Sequence, residues 1–177
     1  MVTITFESHA TSFDNENGVA SGWFDARLSP TGIEQAKQLS TRYADQSFDA
    51  IFTSDLKRAY QTATIAFDFD PKHIFSDWRI RECDYGLSTQ ISKHEIETTK
   101  QNFISNPYDH GESYSQVMER MGSFIADLRS LWDGKNVLVI GHRATHMGFE
   151  HFLNNKPLEQ YMTEQWQWQP GWHYELQ

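Results

Sequence analysis

Two histidines stand directly after strand-like stretches that lie far apart in the chain. His9 follows a β-branched and aromatic run from Val2 to Phe6, and His142 follows Asn136–Gly141, which is apolar after its first residue. In open α/β sheets, ligands bind at the carboxyl ends of the parallel strands. Histidine ionises near neutral pH and serves as nucleophile, acid, base or metal ligand. We therefore expect both imidazoles at one functional edge of a sheet.

A second chemistry is suggested by His142, His146 and Glu150, which are spaced four residues apart. On a helix this spacing places all three side chains on one face, where they could bind a metal ion. The helical metalloprotease motif, however, has a glutamate directly after its first histidine, and Arg143 occupies that position. Metal-dependent hydrolysis therefore stays a secondary hypothesis, and we expect neither a metal nor another cofactor.

The predicted elements alternate between strands and helices. Strands are predicted at the start of the chain, at Phe48–Thr53, weakly at His73–Asp77 and at Asn136–Gly141, with an edge hairpin or closing strand between Gln165 and Leu176. Helices are predicted from Pro30 to about Ala44, from a Ser54 or Asp55 cap to about Phe67, from Ser113 to Trp132 and from about Ala144 to Leu153. This alternation predicts an α/β fold in three layers, a mostly parallel sheet with helices on both faces.

Two polar segments have no such pattern. Phe13–Trp23 contains two glycines and is predicted as a loop, and Leu87–His110 is predicted as helix and loop lying over the functional edge. The length of 177 residues suits one domain with its own core, so we expect a single domain over residues 1–177.

Composition narrows the class of partner. The net charge is −9 and the isoelectric point is near 5.3, which argues against a surface for nucleic acid or anionic membranes. The sequence has no apolar stretch long enough to cross a bilayer and no signal peptide pattern, and Cys83 is its single cysteine. These features predict a cytoplasmic protein. An anionic substrate would need a local positive pocket, and the oligomeric state stays open.

Seven short motifs follow one another over almost the whole chain. They are the strand ending at His9, then Asn15, the stretch from Gly22 through Asp25 and Leu28-Ser29 to Gly32 with Gln35-Ala36 behind it, Thr53–Ala59 with Thr62-Ala63, Arg81-Glu82 before Tyr85-Gly86, Gly111–Ser113, and Gly141-His142. In this order the sequence resembles the histidine phosphatase superfamily, in its phosphoglycerate-mutase-like branch. Several separated motifs in order are far more specific than any one of them.

The resemblance implies a phosphomonoesterase that acts on a small phosphorylated substrate through a phosphohistidine intermediate. His9 would be the nucleophile, and Arg58 would bind the phosphate with its forked guanidinium. His142 would donate a hydrogen bond to the same oxygens. Glu82 would protonate the leaving group and later activate water.

The resemblance also implies a phosphate-binding set, and here the chain departs from the family pattern. Asn15 would add a neutral donor, and Gly22 belongs to the same pocket. The usual Arg-His-Gly is Ser8-His9-Ala10, and the loss of one charge-assisted pair costs about 1.5–3 kcal/mol. Arg143 replaces the glycine that usually follows the second histidine. We hypothesise that Arg143, or Arg27, restores the missing positive charge.

Two alternatives remain open beside the phosphatase and the metal-dependent hydrolase. Because Ser8 replaces a phosphate-binding arginine, the chain could be a non-catalytic or narrowly specific phospholigand-binding protein. A phosphoglycerate mutase is the weaker alternative, since the mutases that this chain resembles build a second phosphate subsite from extra segments. Nothing in Leu87–His110 identifies the leaving group.

Overall fold

A computed structural model of the chain describes residues 1–67 and 73–177. Its central feature is one sheet of five strands in the order β3-β2-β4-β1-β5. The strands are β1 (Val2–Ser8), β2 (Ala50–Thr53), β3 (Ile74–Ser76), β4 (Asn136–Gly141) and β5 (Trp172–Leu176). All neighbouring strands are parallel except β5, which pairs antiparallel with β1 at one edge. The predicted mostly parallel α/β fold is confirmed.

The register of β1 and β4 brings the two histidines together. Ser8 lies opposite Gly141, and the backbone N–H of His9 donates to the carbonyl of Gly141 at 2.9 Å. The pairing of β1 and β4 therefore continues to the last residue of each strand. His9 and His142 are neighbours at its carboxyl edge, as predicted.

The sheet is covered on both faces, because successive side chains of the buried strands point to opposite faces and each face carries an apolar cluster. Val137 and Val139 of β4 belong to one large apolar cluster, whereas Leu138 and Ile140 belong to a second cluster on the other face. The helices are α1 (Phe13–Glu16), α2 (Pro30–Arg42), α3 (Lys57–Ala66), α4 (Lys93–Thr99), α5 (Tyr114–Leu131), α6 (Arg143–Leu153) and α7 (Leu158–Thr163). The first cluster contains side chains of α5, α6 and α7, and the second contains side chains of α2 and α3.

Several local predictions need correction. Phe13–Glu16 is a short helix rather than loop, because Ser12 and Asn15 form a reciprocal capping box. The α3 helix starts at Lys57 with Leu56 in the cap position, so neither Ser54 nor Asp55 caps it. Both side chains have other partners: Ser54 contacts His142, and Asp55 pairs with Arg81.

The structure also refines the prediction at the two edges of the sheet. The weak strand at residues 73–77 is confirmed but covers only Ile74–Ser76, and residues 68–72 lie outside the described part of the chain. At the other edge, Gln165–Leu176 contributes β5, which confirms the closing strand of the two predicted alternatives. Among the helices of the described residues, none is both long and apolar enough to span a bilayer.

Candidate active site

A cavity of about 470 Å³ opens at the carboxyl edge of the sheet, above the ends of β1 and β4. Seven of the eight site residues predicted from the sequence line it, namely Ser8, His9, Asn15, Gly22, Arg58, Glu82 and Arg143. The eighth, His142, is fully buried behind the cavity wall, with its ring centroid 4.9 Å from that of His9. The fold therefore assembles the predicted set in one place.

His9 is held in one orientation by a hydrogen bond on each side of its ring. Nδ1 lies 2.7 Å from the carbonyl oxygen of Ala10, so this nitrogen carries the proton and donates it. Nε2 then accepts from the Nε–H of Arg58 at 3.3 Å. Burial, followed by the charge of Arg58, lowers the pKa of His9 to about 3. At neutral pH the imidazole is uncharged and has a lone pair on Nε2, as a nucleophile requires.

Arg58 brings a positive charge to the His9 imidazole. The side chain is almost fully buried and donates to two backbone carbonyls, Phe24 at 3.1 Å and Gly22 at 2.9 Å. No carboxylate contacts its guanidinium among the residues that the structure describes. Gly22 has a φ of +49°, and a Cβ there would lie 3.0 Å from the ring of Tyr85. Gly22 therefore serves the site by holding Arg58 through its carbonyl.

His142 lies behind the cavity wall beside His9, with its ring fully buried. Nε2 lies 2.6 Å from the Ser54 hydroxyl, while the buried Nδ1 has no partner in the described part of the chain. Burial holds the pKa of His142 well below its usual range, so the ring is neutral. If the Ser54 hydroxyl donates to Nε2, Nδ1 carries the proton and can donate it to a ligand oxygen.

Glu82 is presented by a firmly anchored turn. Its backbone carbonyl accepts from the indole N–H of Trp23 at 2.7 Å and from Arg120 at 2.9 Å. One carboxylate oxygen accepts from the N–H of Cys83 at 2.8 Å. The half-buried carboxylate lines the cavity, so it can exchange a proton with a ligand there.

The phosphate-binding candidates Ser8 and Asn15 contribute no charge. Ser8 is half-buried at the end of β1. The side-chain oxygen of Asn15 accepts from the N–H of Ser12 at 3.0 Å as part of the α1 cap. Asn15 therefore has only its amide nitrogen left as a donor for a ligand.

Arg143 lies on the cavity wall and shares its carboxylate partner with Lys100. Its guanidinium is ion-paired with Glu97 of α4 and lies over the rings of Tyr161, at 5.7 Å, and Trp166, at 5.9 Å. It thereby joins α4 to the segment that follows α7, two parts of the wall. Arg27, the other proposed replacement for the missing arginine, is exposed and does not line the cavity.

The metal hypothesis finds no support in the arrangement of its three candidates. His142 is committed to Ser54, and Nδ1 of His146 lies 2.8 Å from the hydroxyl of Tyr161. His146 and Glu150 are 3.9 Å apart at their closest atoms. Across residues 1–67 and 73–177, no three His, Cys, Asp or Glu side chains form a group that could hold a metal ion.

Other wall residues were not predicted as part of the site. They are the cations Lys93 and Arg42, the amides Gln35 and Gln38, and the indoles Trp166 and Trp168. Gln35 and Gln38 are three residues apart on α2, and Arg42 follows four residues later, so all three share a helix face. That spacing could have been noticed, but only the fold shows that this face borders the cavity.

The comparisons with known proteins agree with the motifs. The model of the histidine phosphatase superfamily, branch 1, matches residues 4–169. A relative from Hydrogenobacter thermophilus, provisionally named phosphoserine phosphatase 2, is 33% identical over 147 residues, covering 77% of this chain and 71% of the relative. Phosphoglycerate mutase of Candida albicans is 36% identical over 136 residues, covering 68% of this chain and 55% of the mutase.

Among solved structures, a mycobacterial glucosyl-3-phosphoglycerate phosphatase complexed with VO3 superposes with a TM-score of 0.79. It is 20% identical, and the match covers 90% of this chain and 85% of that chain, so the two share a fold. The family match and the phosphatase-named relative confirm the expected enzyme class, a hydrolase of the phosphatase type. The chain belongs to branch 1 of the histidine phosphatase superfamily.

Proposed function

We propose that this protein hydrolyses phosphomonoesters through a phosphohistidine formed on His9. The observation that carries the proposal is the pair of hydrogen bonds on the His9 ring, 2.7 Å from Nδ1 to Ala10 and 3.3 Å from Arg58 to Nε2. Together they leave a neutral imidazole with its lone pair beside a guanidinium, inside a cavity that also contains a carboxylate. Nucleophile, cation and acid are the three parts that phosphoryl transfer needs.

In the first step, Nε2 of His9 attacks phosphorus and the bond from phosphorus to the ester oxygen breaks. In the free protein, Nε2 accepts a hydrogen bond from the Nε–H of Arg58. The attack breaks this bond, and the N–H can then donate to a phosphoryl oxygen. The leaving oxygen takes a proton from Glu82, while the Nδ1–H of His9 stays bound to Ala10 and stabilises the positive ring. Nδ1–H of His142 donates to the transferred group.

In the second step, water attacks the phosphohistidine and the bond from Nε2 to phosphorus breaks. Glu82, now a carboxylate, takes the proton from the attacking water and is ready for the next turnover. The products are inorganic phosphate and an alcohol. No step requires a metal ion or an organic cofactor.

Hydrolysis is favoured over phosphate transfer between two substrate positions by the charges in the cavity. Four basic side chains line it: Arg42, Arg58, Lys93 and Arg143. Arg42 is paired with Glu7, and Arg143 is paired with Glu97. Of these four side chains, Arg58 and Lys93 have no carboxylate partner among the described residues. Two free cations suit one phosphate group, whereas a mutase must bind two.

The names of the relatives and the single cysteine support two further parts of the proposal, the class of substrate and the location in the cell. The name of the H. thermophilus relative refers to phosphoserine and that of the Candida enzyme to phosphoglycerate, so we propose a small phosphorylated substrate. Cys83 is a buried free thiol, and we propose a reducing, cytoplasmic location on that ground.

The test is hydrolysis of 4-nitrophenyl phosphate by the wild type and His9→Ala, with a chelator present. We expect turnover by the wild type and its loss in His9→Ala. Rapid acid-free quenching should trap a phosphate adduct on His9, identified by peptide mass spectrometry. His94→Ala is the matched control, since His94 is exposed and does not line the cavity. Equal activity of wild type and His9→Ala would overturn the mechanism.

A second candidate function, binding of a phosphorylated ligand without turnover, is favoured by one observation. Ser8 occupies the position at which the family pattern has a phosphate-binding arginine, and it lines the cavity without a charge. Calorimetry distinguishes the two functions. A wild type that binds phosphate esters but fails to hydrolyse any of a broad panel is a binding protein.

A further inference from the structure

The cavity is larger than a phosphate group needs. Its volume of about 470 Å³ lies in the range typical of sites for small organic molecules, roughly 300–1,000 Å³. The phosphate end is lined by His9 and Arg58. The remaining wall includes Ser8, Gln35, Gln38, Arg42, Trp166 and Trp168, and we name this part the side chamber.

The side chamber exists at this size because residue 8 is small. Ser8 is half-buried at the end of β1 and its side chain borders the cavity. An arginine at this position would extend several bonds further into the same space. The presence of serine in place of arginine at residue 8 therefore removes a phosphate-binding charge and also leaves space beside the phosphate position.

The charges of the side chamber cancel. Arg42 donates to Oε1 of Glu7 at 2.7 Å, and the hydroxyl of Tyr43 donates to the same oxygen at 2.6 Å. The Glu7 side chain is 2% exposed, so its charge is fixed in place beside the guanidinium. Among the six residues of the side chamber, a second phosphate or a carboxylate on the leaving group would find no free cation, and Lys93 lines the cavity outside this chamber. The chamber therefore suits an uncharged leaving group.

Two indole rings and two amides provide the recognition surface. Trp166 is stacked on Trp172 with ring centroids 5.3 Å apart, which makes it a fixed wall. Trp168 is 57% exposed and lies 5.8 Å from the Arg42 guanidinium. Such rings offer flat apolar faces for packing.

The amides match hydroxyl groups. The side-chain oxygen of Gln35 accepts from the N–H of Thr11 at 2.9 Å, which leaves its nitrogen as a donor. Gln38 is exposed and offers both a donor and an acceptor. A hydroxyl is itself both donor and acceptor, so a ring that carries several hydroxyls can satisfy these groups while one of its faces packs on an indole.

We propose that the side chamber binds the leaving group as an uncharged, hydroxyl-rich ring, which makes the substrate a sugar monophosphate. This inference rests on the proposed function, since the phosphate of that sugar is the group transferred to His9. The reaction is then hydrolysis of the ester, in which the sugar oxygen leaves with a proton from Glu82 and water supplies the new oxygen of inorganic phosphate.

The test compares kcat/KM for ribose 5-phosphate and glucose 6-phosphate with kcat/KM for phosphoserine, 3-phosphoglycerate and a nucleoside monophosphate. We expect the wild type to prefer the better of the two sugar esters by about tenfold or more. In Trp168→Ala and Gln38→Ala the preference should fall by about fivefold to tenfold, mainly through KM for the sugar ester. Trp78→Ala is the matched control, because Trp78 is 53% exposed and does not line the cavity.

Three results would overturn the proposal while leaving phosphatase function intact. They are a preference for phosphoserine or phosphoglycerate, a preference for nucleoside monophosphates over both sugars, and an equal loss for all esters in Trp168→Ala. If no ester is hydrolysed, the proposed function fails. The side chamber is then tested by itself, by measuring the affinities for glucose 6-phosphate and for inorganic phosphate. Glucose 6-phosphate should then bind the wild type more tightly than inorganic phosphate does, and Trp168→Ala should remove the difference. If the wild type bound glucose 6-phosphate and inorganic phosphate with equal affinity, the proposed sugar-binding role of the side chamber would be overturned.

Discussion

The Nε–H of Arg58 donates to Nε2 of His9 across 3.3 Å. This contact joins the first turn of α3 to the residue that follows β1, and its partner on the opposite side of the ring is the carbonyl of Ala10. The backbone around the ring is held as well, because the N–H of Ala10 donates to the hydroxyl oxygen of Thr62 at 3.0 Å. The proposed nucleophile is thus oriented before any substrate arrives, which lowers the cost of reaching the reactive geometry.

Arg58→Lys should lower kcat/KM for 4-nitrophenyl phosphate by about 10²–10³-fold. Lysine keeps the charge but cannot reach His9 and the carbonyls of Gly22 and Phe24 at the same time, and it cannot form a forked contact with phosphate. Arg129→Lys, at the far end of α5, is the control for an arginine replacement outside the cavity. Thermal unfolding of both variants separates misfolding from a loss of chemistry, and a folded Arg58→Lys with nearly normal activity would contradict the assigned role.

The His9 ring should stay neutral through mildly acidic pH. Burial and Arg58 lower its pKa to about 3, whereas a free histidine side chain titrates near 6.5. We expect the ring signals of His9, assigned by comparison with His9→Ala, to show no titration in NMR spectra between pH 7.5 and 5. A midpoint between pH 6 and 7 would mean that the nucleophile is protonated at neutral pH and would contradict the proposed resting state.

Folding stability should decrease as the pH falls below 6.5. Burial lowers the pKa of His146 to about 3 and that of His142 well below its usual range. The unfolded chain therefore binds protons from about pH 6.5 downward while these folded groups do not, and the free energy of unfolding falls by at most about 1.4 kcal/mol per pH unit for each group. Urea unfolding between pH 7 and 4.5 measures this slope.

His146→Phe supplies the control for that slope. His146 lies among the aromatic rings of Phe6, Tyr161, Trp166 and Trp172, so phenylalanine suits its surroundings. The variant should lose one titrating group, and its stability should depend less on pH between 6.5 and 4.5 than that of the wild type. An unchanged slope would show that His146 binds protons as readily in the folded state as in the unfolded chain.

Glu82→Gln should affect esters according to their leaving group. An amide cannot supply the proton that an alkoxide needs, so hydrolysis of alkyl esters should slow by about 10²–10⁴-fold. Nitrophenolate leaves without protonation, and its release in the first step should slow far less. The measurement is the burst of nitrophenol set against steady-state release of phosphate from glycerol phosphate. Equal losses for both esters would assign Glu82 another role.

Ser8→Arg should raise kcat/KM for 4-nitrophenyl phosphate by roughly 10–100-fold. It restores a charge-assisted contact of about 1.5–3 kcal/mol with the phosphate. The guanidinium of Arg143 is engaged by Glu97, so we expect the same gain in the Arg143→Ala background. A gain that appears only when Arg143 is removed would instead show that Arg143 already replaces the missing charge.

The sequence alone determined which chemical groups this protein has and the order in which they occur. β-Branched, aromatic and apolar runs predicted β1 and β4, and the alternation of strands with helices predicted the three-layer sheet. Local signals of this kind are reliable where strands are apolar and caps are strong, as at Ser113. They failed where a capping residue had a tertiary partner, as Ser54 does in His142 and Asp55 in Arg81.

The tertiary structure decided what each polar side chain does. The sequence places Arg143 beside His142, but only folding brings α4 close enough for Glu97 to form an ion pair with it. In the same way, Arg27 is near Asp25 and Gly22 in sequence yet points away from the cavity, whereas Arg42 and Trp168 come from distant segments and share a wall. Charges act through space rather than along the chain, so their pairing, and with it the character of the side chamber, depends on contacts that the fold alone creates.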